Sequence, residues 1–524
     1  MNIAKFLEHW QLSENPFRAE EARHDGVLSR LGVGASAHPD FEKILGEVSR
    51  PSTSIVFGEK GSGKTAIRLH IAERVAEHNE ANPGARVLFV PYDDLNPMLD
   101  GLHEHLASRG KAKKSDRATT APDRDALKSL EKIELVDHMD AILAIATDQL
   151  VTGLLTKPAG GDKASPQAVG PDAAQRLRNA ERSVRDDALL LHAVYGRVES
   201  APGRFIDLRR KIGGSRNWAG AKWSLFAYLG WILPAGVIAL WASLKEGLLT
   251  RDAWLILFAI AFAIWGAFLF KRFVVDPFFM KRLGGQIGAH VRVNPRPAES
   301  YAACLSMLPP AARERIALPI NRSDEPRYLM LEKLVRVLRA SGISGVLVVM
   351  DRIDEPTLVN GDANRMRAVI WPMLNNKFLQ QSSIGFKLLL PLELRYELLR
   401  ETSAFFQEAR LDKQSLVERL AWTGTMLYDL CTERLNACRQ AGTSPMSLLD
   451  LFDESVTRQD LIDALDQMQQ PRDAFKLVYH CIQEHCSAVP EDASMWKIPR
   501  HVLDTTRKQQ AERVQAFYRG LRPA

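Results

Sequence analysis

The chain has 524 residues, 46% hydrophobic and 25% charged. That is the composition of a globular protein with room for two or three domains of ~100–200 residues, and it excludes a many-span transporter. Net charge is +6, from 69 basic and 63 acidic side chains, an excess too mild to indicate specific nucleic acid and equally suited to a surface facing acidic lipids.

The first segment, MNIAKFLEHWQLSENPF, has no apolar core followed by a small-residue cleavage site, so it does not read as a signal peptide. A short β-branched run, Ser54 to Phe57, then enters Gly58-Glu59-Lys60-Gly61-Ser62-Gly63-Lys64-Thr65, and a helical pattern with Ile67, Ile71 and Val75 on one stripe leaves it. This is GxxxxGK[ST] in its expected strand–loop–helix setting, a P-loop. Glycines let backbone N–H groups curl around phosphate, and the helix N-terminus adds partial positive charge. Residues Gly58 to Thr65, with Ala66 behind them, are the expected nucleotide-binding residues. Lys64 reaches the β/γ-phosphates and the Thr65 hydroxyl ligates Mg²⁺. The run Arg86 to Tyr92 reads as the next strand.

Two polar, Pro/Gly/Ser-rich linkers follow at 108–125 and 156–173. Between and after them, 136–155 reads as a helix and 174–198 as one charged helix, together a coiled or lid-like arm. Residues 223–244 are then 22 uncharged residues and 253–270 are another 18. Each is long enough to cross a ~30 Å hydrocarbon core as a helix. Only KEGLLTRD separates them, so they form a hairpin whose ends exit on one side. Ten basic residues flank the outer ends: Arg204, Arg209, Arg210, Lys211, Arg216 and Lys222 before, and Lys271, Arg272, Lys281 and Arg282 after. The turn holds only Lys245 and Arg251, so both ends are expected in the cytoplasm, that is, a multi-pass inner-membrane protein. Trp223, Trp231, Trp241 and Trp254 suit interfacial belts, and Pro234 a kink in the first span.

The apolar run Gly345 to Met350 ends in Asp351-Arg352-Ile353-Asp354-Glu355. It reads as a buried parallel strand with acids at its carboxyl end, where open α/β sheets place their sites. Asp351 is the expected Mg²⁺ ligand, and Asp354 or Glu355 the group that polarises the attacking water. A further strand over 385–391 leads to Arg395, at the strand end where P-loop ATPases carry a polar or basic sensor. Residues 401–524 read as helical, including the stretch from Ser415 through Arg439. His480, Cys481, His485 and Cys486 cannot all converge on a metal from one helix, since only Cys481 and His485 share a face. The five cysteines in all, odd in number and sparse, indicate no disulfide framework and a reducing setting.

Lys64 and Asp351 lie 287 positions apart, where two or three βα units of ~30 residues would suffice. A P-loop, a distant acidic strand and a membrane hairpin between them resemble the KAP family of P-loop NTPases, which belong with STAND-like and AAA-like ATPases. In that family the hairpin is inserted within the ATPase domain and anchors it at the cytoplasmic membrane face. Members typically carry adjacent acids in the style of DDLDR. Here Asp351 and Asp354 match two of them, while Arg352 stands where a neighbouring acid is expected. The D-x-L-D-E strand end of a related ATPase group matches this motif equally well. Gln470-Pro471-Arg472 resembles the start of a lid helix in AAA-like ATPases, which implies that Arg472 reaches the nucleotide phosphates.

The fold expected is α/β, a P-loop NTPase parallel sheet with helices on both faces, interrupted by a helical insert and a two-helix transmembrane hairpin. The expected division is 1–107 (N-terminal segment and first half of the NTPase domain), 108–220 (insert), 221–272 (hairpin), 273–400 (second half) and 401–524 (helical lid or effector region). The resemblance implies binding and hydrolysis of Mg·ATP, a homo-oligomer anchored in the lipid bilayer, and a phage trigger or protein partner in bacterial antiphage defence. The alternative is a nucleotide-gated scaffold or membrane-perturbing effector that hydrolyses little.

Overall fold

A computed structural model describes all residues except 20, 36, 112–126, 157–167, 215–217, 245–249, 294, 314–315, 491–492 and 519–524. Most of the two linkers and five of the eight turn residues between the apolar runs therefore lie outside the described residues.

The strands are β1 (Ser54–Gly58), β2 (Arg86–Tyr92), β3 (Ile343–Met350), β4 (Ile384–Pro391) and β5 (Ser415–Val417), in one parallel sheet of order β2-β3-β4-β1-β5. β1 and β4 are buried along their whole length, as apolar runs covered on both faces must be. β1 pairs parallel with β4, Ser54 opposite Lys387 and Gly58 opposite Pro391, and with β5 on its other edge. β5 corrects the helical reading of its segment: Ser415–Val417 is a strand, and the helix starts only at Gly424, where Thr423 caps it. A three-residue edge strand has no periodicity to betray it.

The chain divides into two compact units. The first is Met1–Ala81 with Pro91–Asp94 and Leu347–Ala524, and the second is Asn82–Val90 with Leu95–Val346. Residues 273–346 belong to the second unit.

In the first unit the N-terminal residues pack on the C-terminal helices. Phe6, Leu12, Phe17, Val27 and Leu31 share one apolar cluster with Cys431, Leu435, Leu477, Cys481 and Ile482. All five cysteines are free and buried, and among the described residues no His/Cys/Asp/Glu group fit for a metal ion is found.

Lys387 is an exception to the apolar sheet. Its side chain is fully buried on β4 and its ammonium donates to Ser54 Oγ at 3.1 Å. Burial pushes it down to about 7 from its ordinary 10.5. Between those two values the unfolded chain holds a proton that the folded one does not, so stability should rise with pH across that window. Lys387→Met should therefore raise the melting temperature most below pH 7, with the advantage fading toward pH 10. Melting curves at a series of pH values test this, and a pH-independent difference would refute it.

In the second unit, the segment read as an arm is packed instead. It forms two helices, Ala173–Asn179 and Arg182–Tyr195, broken at Ala180–Glu181, and Leu189 to Tyr195 are buried throughout. Ion pairs lie in this core. Arg327 takes both oxygens of Asp140 at 3.2 and 3.1 Å, Tyr195 donates to the same carboxylate at 2.7 Å, and Arg292 pairs with Asp137. Buried charges persist when paired and hydrogen-bonded in this way.

Two helices of this unit are long and apolar enough to cross a membrane, Lys222–Ser243 and Arg251–His290. Their large side chains face outward: Leu225, Phe226, Trp231, Leu240, Trp241, Leu255, Ile256 and Phe262 are all exposed. The first is interrupted at Gly230–Trp231, three residues ahead of Pro234 at its nearer end, and restarts at Ile232. There the indole of Trp265 donates to the Ala227 carbonyl at 3.0 Å, which satisfies a backbone acceptor that an apolar medium would otherwise leave costly. The second helix does not stop at Phe270. It runs on through a π-turn, Lys271–Val275, to His290, 40 residues in all, or ~60 Å at 1.5 Å per residue.

Candidate functional site

The strands are parallel, so the residues following β1, β2 and β3 emerge on one edge of the sheet. That edge carries the loop 59–63, Asp93 and Asp351. β4 separates β1 from β3, but the helix Lys64–Ala81 bridges the gap: Thr65 Oγ1 donates to Asp351 Oδ2 at 2.9 Å. Two residues 286 positions apart thus share one hydrogen bond.

The loop has a defined polarity. Gly61 and Gly63 both sit at φ +93°, a conformation that side-chain-bearing residues seldom adopt. Its carbonyls are engaged by donors. Gly58 O and Glu59 O accept from Lys64 Nζ at 2.8 and 2.9 Å, Ser62 O accepts from Trp422 Nε1 at 2.9 Å, and Gly63 O accepts from Ile67 N at 2.9 Å. The backbone N–H of Arg472 approaches Gly61 O at 3.5 Å. The first N–H groups of the following helix have no partners within that helix, so this end of the loop is a donor surface suited to an anion.

A cavity of about 700 Å³ opens here, within the first unit, inside the range that holds small molecules. Lys60, Lys64, Thr65, Asp351, Asp354 and Arg472 line it on one side, and Leu28, Leu31, Leu430 and Phe475 give it an apolar side. The N-terminal segment reaches the cavity because Arg434 is buried against it. Its guanidinium pairs with Asp25 at 2.6 Å, donates to Pro16 O and lies over the Phe475 ring.

The charges in the cavity press on one another. Burial pushes the Asp351 carboxyl up to about 6, against the Thr65 hydrogen bond and the Lys64 and Arg68 charges, which pull it down. Burial also lowers Lys64, while Asp351, Asp354 and Glu393 hold its proton on. Arg68 bonds Asp93 at 2.9 Å and stands 3.7 Å from Asp351 Oδ2. The Nε atoms of Arg68 and Arg472 are buried and make no hydrogen bond among the described residues.

Of the residues singled out in the sequence, Lys60, Gly61, Gly63, Lys64, Thr65, Ala66, Asp351, Asp354, Glu355 and Arg472 line this cavity. Gly58 and Ser62 contribute backbone. Glu59 turns its side chain away, to Arg419 at 2.7 Å and to the Gln470 amide. Glu355 is exposed and paired with Arg352, itself in a left-handed conformation at φ +61°. Arg395 is not brought to the cavity; it pairs with Glu418 at 2.5 Å. Sequence reasoning missed Arg68, Asp93, Trp422 and Arg434, whose positions no local motif encodes.

The donor set fits a nucleotide phosphate with its magnesium. It offers a loop whose carbonyls are bonded by donors, the Lys64 ammonium, the buried Arg472 Nε that has no hydrogen-bond partner among the described residues, and a hydroxyl–carboxylate pair of hard oxygen ligands. The chain matches no family model, no curated protein and no solved structure.

Proposed function

We propose that this chain is a KAP-like P-loop NTPase, anchored by its two apolar helices, that binds and hydrolyses Mg·ATP. The nucleotide cycle would switch its conformation or assembly at the cytoplasmic membrane face. The single observation that carries the reading is the 2.9 Å hydrogen bond from Thr65 to Asp351 at the mouth of the glycine loop. It pairs the two oxygen ligands that P-loop chemistry needs for Mg²⁺. Mg²⁺ bound there would neutralise charge on the transferring phosphoryl group.

The residues of the chain have separable tasks. The loop N–H groups and the helix N-terminus cradle phosphate, and Lys64 exchanges its two carbonyl contacts for phosphate oxygens. Arg472, on the first turn of the helix Pro471–Ala488, brings a second cation to the same oxygens. Asp354, half-buried and lining the cavity, takes the proton of the attacking water.

A second reading is a nucleotide-gated scaffold with little turnover. The observation that favours it is the Arg352–Glu355 pair, which occupies one candidate base and puts a cation where the family pattern has an acid. Self-assembly into a homo-oligomer and a role in antiphage defence belong to the proposal by resemblance alone.

Calorimetric titration of the detergent-solubilised full chain with ATP tests the nucleotide half: saturable binding is expected with Mg²⁺, and much weaker binding in EDTA or in Asp351→Asn. No heat of binding under any condition would end the reading. For the membrane half, the protein should stay in the pellet after a carbonate wash. A cysteine at position 247, outside the described residues, should be labelled from outside intact cells while one at 160 is not. Labelling in the reverse order would overturn the orientation drawn from the ten-to-two basic asymmetry.

A further inference from the structure

A phosphate-binding loop works only if its carbonyls point away from the anion, because a carbonyl oxygen facing a phosphate repels it as strongly as an N–H attracts it. Glycines permit that arrangement but do not impose it; conformational freedom is what glycine adds. Something must hold the loop 58–63 in the conformation that turns its N–H groups inward. Beside the Ser62 N–H and the Lys64 ammonium, which bond the Glu59 and Gly58 carbonyls, two groups from elsewhere in the chain do so.

Trp422 follows the edge strand β5. Its indole N–H donates to Ser62 O at 2.9 Å, the six-membered edge of the ring passes 3.9 Å from where a Cβ on Gly63 would lie, and His38 braces it edge-on at 5.0 Å. Three residues earlier, Arg419 pairs with Glu59 at 2.7 Å. The Gln470 amide donates to the same carboxylate, and the Glu59 side chain is only 11% exposed. An acid in a phosphate loop would ordinarily weaken anion binding; here its charge is drawn to the outer side of the loop and neutralised by Arg419.

We infer that Trp422 and Arg419 are positioning residues of the glycine loop: Trp422 holds it in its anion-binding conformation, and Arg419 holds and neutralises the Glu59 carboxylate, whose charge would otherwise oppose the anion. The inference rests on the nucleotide reading above. Trp422 acts through the Ser62 carbonyl and Arg419 through the Glu59 carboxylate. Neither needs to touch nucleotide.

The charge half of the clamp makes a rescue experiment possible. Arg419→Gln leaves the Glu59 carboxylate without its counter-charge, beside the phosphate site. Removing that carboxylate as well, in Glu59→Gln/Arg419→Gln, removes the repulsion, so a neutral pair should work better than a half-charged one. Trp422→Phe keeps the ring and deletes the donor.

The test is titration of the full-length protein with a fluorescent ATP analogue and Mg²⁺, alongside melting without nucleotide. Arg419→Gln and Trp422→Phe should each weaken binding by roughly tenfold, the loss expected for one hydrogen bond or one compensating charge. The nucleotide-free melting temperature of Arg419→Gln should hold, since that side chain is 46% exposed. The double variant should recover most of the affinity lost by Arg419→Gln. Binding by both single variants within twofold of wild type overturns the clamp while leaving the nucleotide reading intact. So does a double variant no better than Arg419→Gln. Failure of wild type to bind the analogue overturns the nucleotide reading itself. Should Trp422→Phe melt early, the Arg419/Glu59 pair decides alone.

Discussion

Lys64→Ala should lose ATP binding by at least about 100-fold and still fold and enter the membrane. The ammonium donates to Gly58 O and Glu59 O at 2.8 and 2.9 Å. It therefore hangs over the loop from a helix whose buried face is carried by Ile67, Ile71 and Val75, and its removal takes nothing from that packing. What is lost is a fixed cation in a partly desolvated cavity. A hydrogen bond to a charged partner contributes about 1.5–3 kcal/mol, and a phosphate chain offers more than one, so the hundredfold estimate is a lower one. Deleting Lys64 also strips Asp351 and Asp354 of the cation that pulls against their charge, which sets two carboxylates against the incoming phosphates. Calorimetry measures the affinity, and melting together with a carbonate wash measures what should not change. Equal binding by wild type and variant would refute the assignment of this loop.

How much of this arrangement is legible in the sequence follows from the range of the forces involved. The glycine loop, the acidic strand end and both apolar runs are written locally. Each depends on neighbours within a few residues, and each appears in the structure where the pattern places it: Lys64 starts its helix, Asp351 directly follows β3, and the helices Lys222–Ser243 and Arg251–His290 lie over the two apolar runs. The continuation of the second helix to His290 is harder to read. Lys271, Arg272 and Asp276 interrupt the apolar run without breaking the helix, since charge ends a membrane span but not an α-helix.

The rest is set by distant contacts. β5 is three residues of an edge that forms only because Ser54 and Val56 offer partners. Trp422, Arg434 and Asp25 meet at the cavity through packing of the N-terminal segment on the C-terminal helices, and no spacing in the chain announces it. Arg395 shows the converse. A strand-end arginine fits the pattern of a sensor, yet a nearby carboxylate, Glu418, takes it. Local sequence cannot show which of two acceptors a flexible guanidinium will choose. The second unit is the largest such case: acids of the helix Leu135–Leu155 close into buried pairs with arginines far along the chain, Asp140 with Arg327 and Asp137 with Arg292.

Asp354→Asn should keep Mg·ATP binding and cut turnover by about 10²–10⁴-fold, the usual contribution of a general base. Three acids follow β3 here, and the structure gives them different surroundings. Asp351 is committed to Thr65 and is 1% exposed, which suits it to the proposed Mg²⁺ and not to an attacking water. Glu355 also lines the cavity, but it is exposed and held by Arg352, three residues back; a carboxylate in an ion pair is a poorer proton acceptor, because the neighbouring cation stabilises its charged form. Asp354 is the one that lines the cavity near Lys64 without being committed to a metal-side partner. Glu355→Gln should therefore lose far less activity than Asp354→Asn, about tenfold at most, and Arg352 cannot substitute for either, since its guanidinium stays charged and accepts no proton. Steady-state phosphate release measured beside a nucleotide titration separates these roles. Wild-type turnover in Asp354→Asn would remove Asp354 from the mechanism. A large loss in Glu355→Gln alone would mean that the Arg352 pair opens when nucleotide binds. Absence of turnover in the wild-type membrane-bound protein, with binding intact, would make the chain a nucleotide-gated scaffold, with the Arg352–Glu355 pair as the feature that silences it.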